Sequence, residues 1–402
     1  MDLQLWQPPI PDEYHGASAA DLASRISRRR SEMGDRLVIL GHHYQTDEVI
    51  SHVDFTGDSL KLAQLAAEYV AQKGADLVVF CGVHFMAEST DLLTPEGTAV
   101  VLPDLSAGCS MADMAAYEDA IDAWDELHEA LASEGWRGRI VPVTYVNSTA
   151  AVKAFVGRNG GACCTSSNAG RVFEWALAGG ETPRKAEEDI KVLFLPDQHL
   201  GRNTAARMGL DVTTQTCVFD PVLARRGEPL GGIETELLLA SSVILWKGHC
   251  SVHKLFRPEH VDAARARDPH VKAIVHPECC QEVVDKADLA GSTEFIISAI
   301  GAASKGEHFV VGTEVHLVNR LATEAAKRGV RVEMLSGCQC LCTTMYRIDQ
   351  AHLAWALDNL AEGKMVNRVR VHPDARADAL LALDRMLALA APIAEHAGVA
   401  VQ

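Results

Sequence analysis

Three stretches decide the fold: LGHHYQ (Leu40–Gln45), VTYVNS (Val143–Ser148) and IVHPEC (Ile274–Cys279). In each, a short apolar run with the composition of a buried strand ends in His, Tyr, Asn or Glu. The strand ends that follow form three more matched series. DFTGDSL (Asp54–Leu60), CCTSSNA (Cys163–Ala169) and ADLAGST (Ala287–Thr293) each lead into a helical pattern. FCGVHFMAE (Phe80–Glu88), LPDQHLGR (Leu195–Arg202) and VGTEVHLVN (Val311–Asn319) each carry a His at a similar offset: His84, His199 and His316. LPDLSAGC (Leu102–Cys109), LWKGHC (Leu245–Cys250) and LSGCQCLC (Leu335–Cys342) each contain cysteine. Apolar runs of this length alternating with amphipathic helices predict parallel sheets covered on both faces. The repeat therefore predicts three similar α/β/α domains, each with a four-stranded, mainly parallel sheet. The middle copy is longer by an insertion around Met208–Gly232, which includes Cys217.

The expected divisions are residues 1–110 plus 343–402, 111–251 and 252–342. The terminal helical pattern from Val371 is expected to pack on the first domain. Polar loops at the C-terminal ends of parallel strands build ligand sites, so the three units are expected to meet around one pocket.

Composition narrows the chemistry. The chain has 402 residues, 11 cysteines and a formal charge of −17. That charge disfavours nucleic acid and anionic membrane as partners. The first residues lack a basic segment followed by an apolar core, and no apolar run is long enough to span a bilayer, so a cytoplasmic protein is expected. In a reducing compartment cysteines serve as buried apolar groups, redox thiols or metal ligands. One cysteine per repeat at the fourth strand end suggests three thiolates around an iron–sulfur cluster or zinc. The repeat leaves Cys338, Cys340 and Cys342 open as the third. Ser59, Ser166 and Thr293 lie at helix starts, where hydroxyls cap helices or hold anions. His42, Tyr44, Tyr145, Asn147, His276 and Glu278 form a layer of acid–base and polar groups.

HHYQ, GDSL, CGVHFMAE, PD-x3-GCS, TYVN, TSSNA, LPDQHLG, W-x-G-x-C-x-V-H, HPEC and AD-x2-GST, in this order, resemble the quinolinate synthase family over about residues 36–350. The resemblance implies a triangular, pseudo-threefold arrangement of the three domains around a central active site. It implies a [4Fe–4S] cluster on Cys109, Cys250 and Cys342, the last chosen because it precedes Met345 by three residues. Cys338 and Cys340 make a C-x-C-x-C run that departs from the family pattern and leaves an alternative ligand or a regulatory disulfide open. The implied reaction condenses iminoaspartate with dihydroxyacetone phosphate to quinolinate, phosphate and water in NAD biosynthesis. An aspartate oxidase or dehydrogenase would supply the imine. Tyr44 and Glu278 would be acid–base groups, with His276 and Tyr145 also catalytic. His42, Ser59, Asn147, Ser166 and Thr293 would hold substrate together with Tyr145, His276 and Glu278.

Two other readings compete. Gly57–Leu60 spells GDSL and Asp349–His352 spells D-x-x-H, the pattern of a serine hydrolase with Ser59 as nucleophile and His352 as base. A non-enzymatic scaffold holding a structural metal would explain the thiols but not the His, Tyr and Glu layer.

Overall fold

The computed structural model describes residues 7, 9–337 and 340–390. Its strands fall into three sheets. The first contains β1 (Leu37–His42), β2 (Phe55–Gly57), β3 (Leu77–Cys81) and β4 (Ala99–Val101). The second contains β5 (Gly138–Tyr145), β6 (Ala162–Cys164), β7 (Asp189–Leu195), β8 (Thr216–Phe219) and β9 (Val243–Trp246). The third contains β10 (Lys272–Val275), β11 (Leu289–Ala290), β12 (His308–Gly312) and β13 (Arg331–Met334). Their orders are β2-β1-β3-β4, β6-β5-β7-β9 and β11-β10-β12-β13, the same order each time. All pairs within these cores are parallel. The α/β class and the threefold repeat are thus present as expected.

The additions differ between copies. β14 (Arg368–Val369) runs antiparallel on β4. The insertion in the middle copy supplies β8, an extra strand outside β9 that contains the buried Cys217. Every residue of β1 is buried, as a strand covered on both faces requires.

Packing groups the described residues into two compact units. One runs to Cys109 and includes Glu314–Leu317 and Leu341–His372; the other holds Ser110–Thr313, Val318–Cys340 and the chain from Pro373. In the first unit the basic segment Ser24–Arg30 (SRISRRR) lies on a helix that supplies buried ion pairs. Helix Ala19–Met33 lies against helix Gln350–Ala361. The buried Asp358 accepts from Arg29 Nε at 2.6 Å and Tyr14 Oη at 2.8 Å, with Arg25 Nε at 2.9 Å. Burial alone would raise the Asp358 carboxyl, but these bonds and the arginine charges hold it below its usual range. Asp358→Asn is expected to cost about 2 kcal/mol, because it leaves two guanidinium groups underpaired. A depressed folded pKa contributes stability above the unfolded value of about 3.9, lost as pH falls through the folded value. The gap between wild type and Asp358→Asn in denaturant melts should therefore close below about pH 4.

In the second unit the terminal helix Pro373–Leu389 corrects one expectation. It packs on helix Ala150–Arg158 and on β6, both of the second sheet, rather than on the first domain. The cause is local. Arg385 Nη1 donates to the carbonyls of Gly157 and Gly161, each at 2.8 Å, and Arg158 Nε pairs with Asp378 at 2.9 Å. Gly157 permits the close approach, since a Cβ there would lie 1.9 Å from the Asp378 carbonyl oxygen. Gly157→Ala should therefore force the helices apart and lower stability by about 2 kcal/mol, readable as a lowered thermal midpoint.

Candidate active site

Parallel strands end in loops at their C-terminal edge, and the candidate residues lie there. In the first unit β1 ends on the buried His42, whose Nδ1 accepts the backbone N–H of Tyr44 at 3.2 Å. The Tyr44 ring stands edge-on to His42, with centroids 4.6 Å apart. In the second unit the loop after β10 repeats the turn: His276 Nδ1 accepts the backbone N–H of Glu278 at 3.3 Å. Tyr44 and Glu278 therefore occupy equivalent positions of the repeat. In both turns the accepting Nδ1 leaves a neutral imidazole's proton on Nε2.

The helix starts answer the question about the hydroxyls. Asp58 caps helix Ser59–Lys73 by accepting from Lys61 N at 2.9 Å. Ser292 caps helix Thr293–Gly301 by accepting from Phe295 N at 3.3 Å. Ser59 and Thr293 each follow the cap, so neither hydroxyl is the capping group. Ser166 lies in the turn before helix Ala169–Leu177, where Asn168 Oδ1 accepts the backbone N–H of Thr165 at 2.7 Å.

The densest arrangement belongs to the second unit. Glu278 is buried, and its Oε2 lies 2.7 Å from His253 Nδ1. The other ring nitrogen of His253 lies 3.2 Å from Thr313 Oγ1. The rings of His253 and His276 stack with centroids 4.6 Å apart. Tyr145, the last residue of β5, also hydrogen-bonds Glu278. Asn147 follows on the same loop, which is fixed by Ser148 Oγ donating to the Tyr145 carbonyl at 2.8 Å. Asn203 secures the H-P-E-C turn by donating from Nδ2 to the carbonyls of Pro277 and Cys279, each at 2.8 Å.

The electrostatics separate these groups. Burial pushes His276 down to about 3, so it is neutral at physiological pH. Burial would raise Glu278, but the imidazoles of His276 and His253 and the bonds from His253 and Tyr145 hold it well below its ordinary range. Asp197 beside it goes the other way: burial, then the Glu278 charge, push its carboxyl well above the usual range. The two neighbouring carboxyls are thereby shifted in opposite directions, the pattern by which paired carboxyls come to differ in acid–base role.

The cysteines divide by burial. Cys81, Cys163, Cys164, Cys217, Cys279 and Cys340 are buried, whereas Cys109, Cys250 and Cys342 are half-buried, as is Cys280. Burial pushes Cys81 and Cys163 up to about 12, which keeps them as inert thiols. Cys109 precedes helix Ser110–Asp113, and Cys342 Sγ lies 3.5 Å from Thr344 Oγ1. Cys338 lies outside the described residues. One ligand atom each from Cys250, His253 and Glu278 lies within 4.8 Å of the other two.

His253, Thr313 and Asp197 were not singled out by sequence. His253 closes the W-x-G-x-C-x-V-H string, and Asp197 sits in LPDQH two residues before His199, the residue that the repeat marks. The third-strand histidines are not equivalent. His199 is pushed down to about 4 by burial, then by neighbouring cations, whereas His316 Nδ1 pairs with Glu314 at 2.9 Å. His352 does not support the hydrolase reading. Its Nδ1 bonds Asp349 Oδ1 at 2.8 Å at the start of its own helix, and its ring stands edge-on to His15.

Repeated parallel sheets with thiols, a buried carboxylate and imidazoles at their C-terminal loops define an α/β enzyme. A family model described as quinolinate synthetase A protein matches residues 24–388. A quinolinate synthase of Acidobacterium capsulatum is 51% identical over 94% of this chain and 95% of its own. Quinolinate synthases of a Nocardioides species and of Streptomyces coelicolor are 52% and 49% identical, each over 94% of this chain and 92% and 91% of their own. The chain belongs to the quinolinate synthase family. Among the described residues no helix is long and apolar enough to cross a membrane.

Proposed function

We propose that this enzyme forms quinolinate by condensing iminoaspartate with dihydroxyacetone phosphate, releasing phosphate and two waters. The observation that carries the reading is the buried Glu278, bonded by His253 and Tyr145 beside the half-buried Cys250, in a chain of this family. An aspartate oxidase or dehydrogenase supplies the imine, and the cytoplasm is the compartment. The chain is read as three domains with boundaries near 110, 251 and 342.

The donor set fits a [4Fe–4S] cluster. Cys109, Cys250 and Cys342 are half-buried at corresponding strand ends, whereas Cys340 is fully buried. When bound on three thiolates, such a cluster supplies an iron with an open position, a Lewis acid for a departing hydroxide. The chain's own groups do the rest. Glu278, ionised at neutral pH, accepts the proton lost when the triose phosphate enolises. Tyr145 orients the Glu278 carboxylate and a substrate oxygen. His276, neutral with its proton on Nε2, donates a hydrogen bond without adding charge. Tyr44, steadied by the His42 ring, exchanges a proton with the second reacting centre. Ser59, Ser166 and Thr293 hold carboxylate or phosphate oxygens, and Asn147 hydrogen-bonds an intermediate. Burial of Glu278 and His276 excludes water from an imine that hydrolyses readily.

Carbon-13-labelled dihydroxyacetone phosphate tests the substrate pairing. Every carbon of the triose should appear in the quinolinate formed. Unlabelled product would refute the pairing while leaving quinolinate formation intact.

A further inference from the structure

We infer that Cys250, His253 and Glu278 form a binding site for a single divalent ion of zinc-like softness in the cluster-free protein. One donor atom from each residue lies within 4.8 Å of the other two, and His253 and Glu278 are both buried. In a tetrahedral zinc site with sulfur, imidazole and carboxylate ligands, neighbouring donors are about 3.5 Å apart. His253 and Glu278 are closer, at 2.7 Å, the distance of a shared proton, and would open by somewhat under ~1 Å as the metal takes that proton's place. The necessary contraction, about 1 Å, falls on Cys250, which is half-buried in the loop between β9 and the short turn His253–Leu255. The support around the ligands is also in place. Thr313 Oγ1 lies 3.2 Å from His253 Nε2, which fixes the ring and leaves Nδ1 facing Glu278.

The ligand chemistry selects the ion. A thiolate, an imidazole and a carboxylate together suit zinc or cobalt and disfavour magnesium and calcium, which take oxygen shells. The metal would replace the proton between His253 and Glu278 and the thiol proton of Cys250, both released to solvent. Three protein ligands leave one coordination position for water. The ion would occupy Glu278 and therefore block acid–base chemistry. Its exclusion of the cluster rests on the reading of Cys250 as a cluster ligand; its binding does not.

The test uses cluster-free full-length protein titrated with Co2+ alone, followed by displacement with Zn2+. The expected result is one equivalent of Co2+ with thiolate-to-cobalt charge-transfer absorption, unchanged in Cys109→Ser and Cys342→Ser. His253→Ala should weaken binding by at least about tenfold. His253→Asn, which keeps a hydrogen-bond donor beside Glu278 but offers no imidazole, should do the same and guards against misfolding of the alanine variant. Wild-type affinity in both His253 variants, or no Co2+ binding by wild type, would overturn the inference. So would loss of the band in Cys109→Ser and Cys342→Ser, which would place the ion on three thiols. Failure of the cluster reading would appear elsewhere, in the iron and sulfide content of reconstituted Cys342→Ser.

Discussion

Cys109→Ser, Cys250→Ser and Cys342→Ser are each expected to fold, to lose the [4Fe–4S] complement after anaerobic reconstitution, and to lose quinolinate formation below detection. A serine hydroxyl stays protonated at neutral pH and is a hard ligand, so a cubane bound by three thiolates lacks a corner in any single variant. The three sites are half-buried, and serine matches cysteine closely in shape, so folding should survive. Iron and acid-labile sulfide per chain, read with far-ultraviolet circular dichroism, separate loss of ligand from loss of fold. Cys340→Ser is the contrast: its thiol is fully buried, and the expected effect is on stability alone. A full cluster in Cys342→Ser would reassign the third ligand to Cys338 or Cys340.

Glu278→Gln should lower kcat by about a thousandfold with little change in KM, the usual scale for removal of a positioned general base. The amide keeps the size of the carboxylate and still meets His253 and Tyr145, so binding should persist while proton abstraction fails. Glu278→Asp keeps the charge but shortens the reach, and should fall between the two. Because Glu278 sits well below its ordinary range, the acid limb of the wild-type kcat profile should show no break near an unperturbed glutamate value of about 4.3. Full activity in Glu278→Gln would remove the residue from the chemistry.

Much of the fold was legible because parallel strands leave a strong trace. β1, β3, β7 and β12 are short apolar runs ending in polar loops, and three copies of the same series made the repeat and its parallel sheets legible, though not the order of strands within each sheet. The insertion was visible as extra length, and it became β8. The partner of the terminal helix was not legible. Its apolar face says that it packs, and only Gly157 with Arg385 says where. Within the site, residue types at repeat positions pointed to Tyr145, His276 and Glu278, which the fold does bring together with Cys250 in the second unit. His253 and Asp197 escaped because their effect is pairwise. A histidine three residues past a cysteine has no meaning until its ring lies 2.7 Å from a carboxylate 25 positions later. Asp197 looks like an ordinary helix cap, and it is one, accepting from His199 N and Leu200 N; its second role depends on lying beside Glu278.

Quinolinate formation by the anaerobically reconstituted full-length chain, given dihydroxyacetone phosphate and iminoaspartate generated in place by an aspartate oxidase, is the most direct measurement. Quinolinate should accumulate with loss of the triose phosphate and stoichiometric release of inorganic phosphate, and should cease when either substrate is omitted. Absence of quinolinate from protein carrying its full iron and sulfide would contradict the assignment.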